Sequence, residues 1–335
     1  MSYDSKPDAP PAAPLETTKV SHVAVAADDD GQRLDNWLMR ALKGVPRSRV
    51  YRLLRKGEVR VNGKRAKPET RLATGDDIRL PPVRPPDVDA PRRAPQGLLT
   101  TIEAAIVHED QDLLVIAKPA GLAVHGGSGL SFGVIEALRA SRPTETLELV
   151  HRLDRDTSGL LLVARNRTAL RALHGLLREG LVEKRYLALV QGPWNLGKKT
   201  IHAPLATRAR QGGERVVKVA ESGKESDTTF VPVDFFGARA TLMDVSLGTG
   251  RTHQIRVHAA HAGHPVAGDD KYGQRDFNTE MEGLGLKRLF LHAQSLTFEW
   301  PGSRKTFAVN QPLPPELAQV LEALGATRRR RDRRR

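Results

Sequence analysis

From Gly31 onward the apolar positions Leu34, Trp37, Leu38, Ala41 and Leu42 recur at helical spacing and define one buried face. Pro46 ends that run, and Ser48 is placed to cap a second helix that turns Val50, Leu53 and Leu54 inward until Gly57 stops it. The period then shortens to two over Val59-Arg60-Val61, and Asn62-Gly63 marks a tight hairpin turn. Asp77–Leu80 reads as a further strand. These elements predict a compact module of two helices and a small sheet over residues 21–84. The stretch PPVRPPDVDAPRRAPQG (81–97) has no period and is stiff and polar, so a linker is expected over 85–98. A larger domain over 99–323 follows. Strands are expected over 112–117, 159–164, 185–190, 228–234, 239–247 and 295–300, and helices over 132–140, 167–178, 252–262 and 314–324. Strands in clusters, without a regular βαβ rhythm, predict an α+β fold with a mixed, largely antiparallel sheet.

Composition changes this picture mainly through charge. The 335 residues carry a formal +14, which points to a polyanionic partner. Residues 40–67 hold eleven Lys/Arg against the single acid Glu58, and the tail 328–335 holds seven Arg against one Asp, so the large domain is nearly neutral. No apolar run nears the roughly 20 residues of a membrane span, and the N-terminus has no signal-like apolar core. A cytoplasmic protein with no membrane association is expected, and a monomer. Cysteine is absent, which excludes disulfides and thiolate chemistry. The Pro- and Ala-rich residues 1–20 and the basic residues 324–335 are expected to be disordered.

Four stretches carry candidate chemistry. VHRLDRDTSGLLLVAR (150–165) joins a polar loop to a buried strand and can hold a carboxylate at the rim of a cleft, although an ordinary solvated turn has the same composition. In TGRTHQIRVHAAHAGHP (249–265), Thr252 can cap a helix, and Arg251 and Arg256 bring donors to its N-terminal end. Its histidines lack an HExxH pattern and the run contains no carboxylate, so no metal is expected. EKRYLALVQG (183–192) is an alternating strand whose Tyr186 is either core or a stacking platform for a base. AKPAGLAVHGGSGLSFGVIEAL (117–138) reads as a strand, a glycine-rich rim loop and a helix; it lacks the spacing of a phosphate-binding P-loop.

In this order, KPAGLAVH, HRLDRDTSGL, KRYLALV, GRTHQIRVH and RLFLHA (288–293) resemble the signature series of the ribosomal large-subunit pseudouridine synthases of the A, C and D type. Residues 34–80 are similar to the small RNA-binding domain that the C and D branches carry, and GGSGLSFGVIEALR together with YRLLRKGEVRVNGKR most resembles the C branch. The resemblance implies a central catalytic cleft and conversion of uridines to pseudouridine in 23S rRNA, with no cofactor. Alternatives are a D-like choice of uridines or a non-catalytic rRNA-binding assembly factor. It also implies that Asp154 is the catalytic aspartate, Tyr186 the stacking tyrosine and Arg251 the arginine that pairs with the aspartate. Arg152 matches the side chain that fills the space of the extruded base, and Leu291 the apolar residue beneath the tyrosine. Arg47, Arg49, Arg52, Arg55 and Lys56 of the small module are the expected RNA contacts. A carbohydrate-active enzyme would also act at a glycosidic bond, but it would need a second carboxylate facing the first, and Asp156 is too near on the same loop.

Overall fold

The computed structural model describes residues 19–42, 45, 47–83, 94–126, 132–209, 215–303 and 305–332. The chain divides into two units, Met1–Arg92 and Arg93–Arg335.

The first unit comprises β1 (Ser21–Ala24), α1 (Leu34–Ala41), α2 (Arg47–Lys56), β2 (Arg60–Val61), β3 (Lys64–Arg65) and β4 (Asp77–Leu80). Its four strands pair in the order β1-β4-β2-β3. Asn62 and Gly63 both adopt positive φ, 49° and 72°, as the two-residue turn between β2 and β3 requires. Leu34, Trp37, Leu38, Val50, Leu53 and Leu54 meet in one core, as their spacing predicts. Two acids brace the helices from within. Asp35 accepts from Arg33 (Nε 3.0 Å, Nη2 2.8 Å) and from the Tyr51 hydroxyl at 2.9 Å, which joins α1 to α2. Asp29 accepts from Trp37 Nε1 at 3.1 Å and from Arg40 at 2.6 Å. Because α2 starts at Arg47, Ser48 falls inside the first turn and does not precede the helix as a cap.

The second unit begins with α3 (Gln96–Ala104), β5 (Ile106–Glu109), β6 (Leu113–Lys118), α4 (Val134–Ser141), β7 (Glu148–Leu149), β8 (Ser158–Ala164), α5 (Arg167–Glu179) and β9 (Glu183–Gln191). It continues with β10 (Lys199–His202), β11 (Leu205–Ala209), β12 (Arg215–Val219), β13 (Asp227–Phe235), β14 (Ala240–Leu247) and α6 (Gln254–His261). It ends with α7 (Arg275–Glu282), β15 (Leu291–Glu299), β16 (Thr306–Asn310) and α8 (Pro315–Asp332). The main sheet runs β10-β13-β14-β9-β15-β8-β6-β5, with β16 on β15 and β7 on β8. Its one parallel pairing among the described strands is β15 with β8, so the expected mixed, mainly antiparallel α+β fold is what forms.

All seven residues of β8 are buried, and its period of two divides them between cores. Leu161 and Val163 pack with Ile135 and Leu138 of α4, while Leu160 and Leu162 pack with Leu173 and Leu176 of α5. β9 does the same: Tyr186, Ala188 and Val190 face the α4 core, and Leu187 and Leu189 meet α7 and α8. Three expectations are corrected. α3 starts at Gln96, inside the expected linker, because QGLLTTIEA is a good helical segment once Pro95 has preceded it. β15 begins at Leu291, four residues before the expected strand, its first residues being sheltered by β8 and β9. The expected disordered tail is helical to Asp332, since arginine favours helix and positive charge suits a helix C-terminus. Residues 1–18 and 84–93 lie outside the described residues, as do 127–131 of the glycine-rich loop.

Candidate active site

The loop carrying Asp154 is held from both ends. At its far end Gly159 takes φ 109°, and a Cβ there would lie 2.2 Å from the Ala293 carbonyl oxygen of β15. Only glycine permits so close a strand approach. Beside it, the Ser158 hydroxyl donates to His292 Nδ1 at 2.9 Å, because His292 Nε2 must itself donate to the Gln311 carbonyl at 3.1 Å. In the middle, the buried Lys118 ammonium donates to the carbonyls of Pro119, Leu122 and Arg155, each at 2.9 Å, tying β6 to the loop. Burial pulls the Lys118 pKa down to about 7, while the charges of Asp156 and Asp154 pull it upward. At the near end, His151 Nε2 accepts from the Leu162 N–H at 3.1 Å. Burial, and then the neighbouring charge of Lys184, lower the His151 pKa to about 4, so the ring is neutral.

Asp154 thereby stands in a cavity of about 570 Å³ lined by the loop, β9, the 247–256 segment and Leu291. Tyr186, Leu153 and Leu291 form its apolar wall and belong to the same buried cluster. Arg152, Arg178, Lys184, Arg251 and Arg256 also line it, and among the described lining residues Asp154 is the single acid. Arg152 is exposed at the loop. Burial, and secondarily the negative charge of Asp154, push the Tyr186 phenol upward, which keeps it a hydrogen-bond donor at neutral pH. Burial lowers the pKa of Lys184.

The expected partnership of Asp154 with Arg251 is corrected by the geometry. The cation within reach is Arg256, whose Nη1 is 3.7 Å from Asp154 Oδ2; His253 Nε2 is 3.9 Å from the same oxygen, but burial lowers its pKa and favours the neutral ring. Arg251 instead is exposed and directs its Nε to the Glu225 carbonyl at 3.4 Å. The expected helix cap is corrected as well. His253, not Thr252, precedes α6, and it does so in the left-handed region (φ 54°), a conformation costly for a residue with a Cβ. That twist turns its ring inward. His253 Nδ1 shares a 2.8 Å hydrogen bond with the Tyr272 hydroxyl, and that oxygen accepts from Val217 N–H at 3.1 Å.

Arg256 is fixed by Asp269, a residue outside the four candidate stretches. Arg256 Nε and Nη2 donate to the two Asp269 oxygens, each at 2.7 Å, and the guanidinium lies 5.1 Å above the Tyr272 ring. Asp269 also accepts from the backbone N–H of Lys271 and Tyr272, at 2.9 and 3.0 Å. Although burial raises it, the Asp269 pKa ends below the usual range because Arg256 and these amides outweigh burial. The signal available in the sequence is GDDKYG (268–273), an acid between glycines directly after the apolar Pro-Val-Ala. The remaining histidines of the row disperse: His258 bonds Thr228 and the Ala203 carbonyl, and His264 the Gln191 carbonyl. Among the described residues, no group of three His, Cys, Asp or Glu is placed to hold a metal ion.

On α2 of the first unit, Arg49, Arg52 and Lys56 recur at helical spacing away from buried Val50, Leu53 and Leu54, with Arg55 and Lys56 in the last turn. Arg52, Arg55 and Lys56 are exposed and Arg49 is half-buried, while Arg47 is outside the residues whose side chains are described.

Residues 112–261 match the RNA pseudouridylate synthase family, and residues 32–78 match the S4 domain. The chain is 53% identical over 313 residues to the ribosomal large subunit pseudouridine synthase C of Salmonella typhi, covering 92% of this chain and 98% of that one. It is 52% identical to the protein of that name from Escherichia coli strain K12, again covering 92% and 98%. Among solved structures, human RNA pseudouridylate synthase domain containing 1 superposes with a TM-score of 0.53 at 28% identity, covering 66% of this chain and 94% of that one. These matches span the domain that holds Asp154, Tyr186 and Arg256, and the chain belongs to the ribosomal large-subunit pseudouridine synthases, with an S4 domain ahead of the catalytic domain.

Proposed function

We propose that this enzyme converts uridines of 23S ribosomal RNA to pseudouridine in the cytoplasm, using Asp154 as its acting carboxylate. The observation that carries this reading is a lone carboxylate in a cavity whose other charged groups are cationic. A polyanion is drawn to such a site, and a glycosidase, which needs two facing carboxylates, is disfavoured. The reaction breaks the bond between ribose C1′ and uracil N1, forms one between C1′ and C5, and moves a proton from C5 to N1. It is redox-neutral and needs no external nucleophile. Asp154 can serve either by attacking C1′ or by removing a sugar proton, and both need its ionised form.

The cavity also suits an extruded base. Leaving the stack costs a few kcal/mol. Tyr186 and Leu291 offset this by packing on the uracil, and the exposed Arg152 occupies the gap left in the RNA. Arg256 supplies the positive charge beside Asp154, with His253 behind it. The cations of α2, Arg47, Arg49, Arg52, Arg55 and Lys56, bind the RNA backbone away from the reaction. The test is to incubate the protein with 23S rRNA and map pseudouridine by mass spectrometry. The wild type forms product, while Asp154→Asn binds the RNA within a few-fold and forms none. Turnover by that variant above about one per cent of wild type would refute the assignment.

A further inference from the structure

The turn that carries Arg251 separates two cavities. The first holds Asp154. The second, about 530 Å³, opens between the same turn and the paired strands β11 and β12 with the turn leading to β13, and Gly250, Arg251 and Thr252 line both. Thr207, Ser222 and Lys224 line the second cavity, bringing two hydroxyls and an exposed ammonium. Among the described residues no carboxylate lines it; Glu221 and Glu225 lie near Lys224 in sequence but are not among its lining residues. Arg251 is anchored through its backbone, whose N–H donates to Gln254 Oε1 at 2.9 Å, and its Nε reaches the Glu225 carbonyl at 3.4 Å. Its two terminal nitrogens have no protein partner among the described residues.

An exposed guanidinium with a free fork, beside a second cation and hydroxyls, is a phosphate-binding arrangement. Because this turn lines both cavities, it offers the sugar-phosphate chain of a uridine seated in the first a way out, and the adjoining cavity has room for the next nucleotide. We propose that Arg251, with Lys224, seats a backbone phosphate flanking the target uridine, and that the second cavity receives the neighbouring nucleotide. This rests on the reading of the first cavity as the seat of the uridine. Arg251 is then a substrate-positioning residue, held apart from the Asp154–Arg256 pair.

The test uses full-length protein and a synthetic RNA oligomer carrying a mapped uridine, with one neutral methylphosphonate placed in turn at each linkage around it. Affinity and turnover are measured for the wild type, Arg251→Gln and Lys224→Gln. For the wild type, one linkage adjacent to the uridine is expected to cost roughly ten- to a hundredfold in affinity when neutralised, as for a charge-assisted hydrogen bond. In Arg251→Gln the same neutralisation costs less than about twofold, because the two changes remove one interaction and do not add. A merely structural role for Arg251 would weaken binding without changing this linkage profile, and that outcome overturns the proposal. So does a wild type equally indifferent to every linkage. Pseudouridine in the unmodified oligomer, measured separately, reports on the first cavity, so the two readings fail independently.

Discussion

Removing the Asp269 carboxylate should damage both stability and catalysis, and the structure allows the two to be separated. The Arg256 side chain is 9% exposed and that of Asp269 is 0% exposed, so Asp269→Ala leaves a buried guanidinium without its counter-ion. Breaking such a pair from one side costs about 3–5 kcal/mol. For a domain of this size each kcal/mol lowers Tm by about 2–4 °C, giving a fall of roughly 6–20 °C in a thermal melt. Arg256 would also be without the two hydrogen bonds that aim Nη1 at Asp154, so turnover should fall even below the melt. A companion variant, Asp269→Leu with Arg256→Met, replaces the pair by apolar groups, an exchange that is often neutral. Its recovery should be partial, because the N–H groups of Lys271 and Tyr272 lose their acceptor, at about 1–3 kcal/mol for each one left unsatisfied. It should nevertheless remain inactive, having no arginine at Asp154. A melt for Asp269→Ala within about 2 °C of wild type would show that the clamp does not hold the site. Wild-type turnover in the double variant would show that the clamped cation is not needed.

Tyr186→Phe should bind RNA normally and turn over at least about tenfold more slowly, whereas Tyr186→Ala should also lose the roughly 1–3 kcal/mol of base stacking; filter binding and single-turnover rates separate these effects. Stability should fall as pH drops from about 6.5 towards 4, because the unfolded chain takes up a proton that folded His151, with its pKa near 4, does not. Protonation would also break the Leu162 bond, so His151→Gln, which keeps an acceptor, should flatten the pH dependence of Tm in that window. Arg52→Gln with Arg55→Gln should lower the log–log salt slope of RNA binding by about 0.7–0.9 for each phosphate no longer neutralised; an unchanged slope would remove α2 from the RNA-binding surface.

The parts of this fold that are legible in the sequence are those set by short-range pattern. The two helices over 34–56, the Asn62-Gly63 hairpin and the buried strand after Gly159 each express a period or a turn preference contained in a few residues. The local pattern predicts β15 only from 295, because its first residues owe their strand to distant partners: Leu291 pairs with Ala188 of β9, and His292 and Ala293 with β8, more than 130 positions earlier in the chain. No local period can report such a partner.

The site shows the same division more sharply. GRTHQIR places two arginines and a histidine near one loop, so the membership of the site is legible in its motif. Which arginine faces Asp154 is not. A helix begun at Thr252 leaves Arg251 as the arginine at its mouth. The left-handed turn at His253 starts the helix two residues later and carries Arg256 inward on its first turn. Burying that guanidinium is then tolerable only because Asp269, thirteen residues further on, meets both of its inner nitrogens. The pairing is decided by where a buried charge finds its counter-ion, a tertiary matter. Arg251, spared that burial, stays exposed at the turn, free for the backbone contact proposed above.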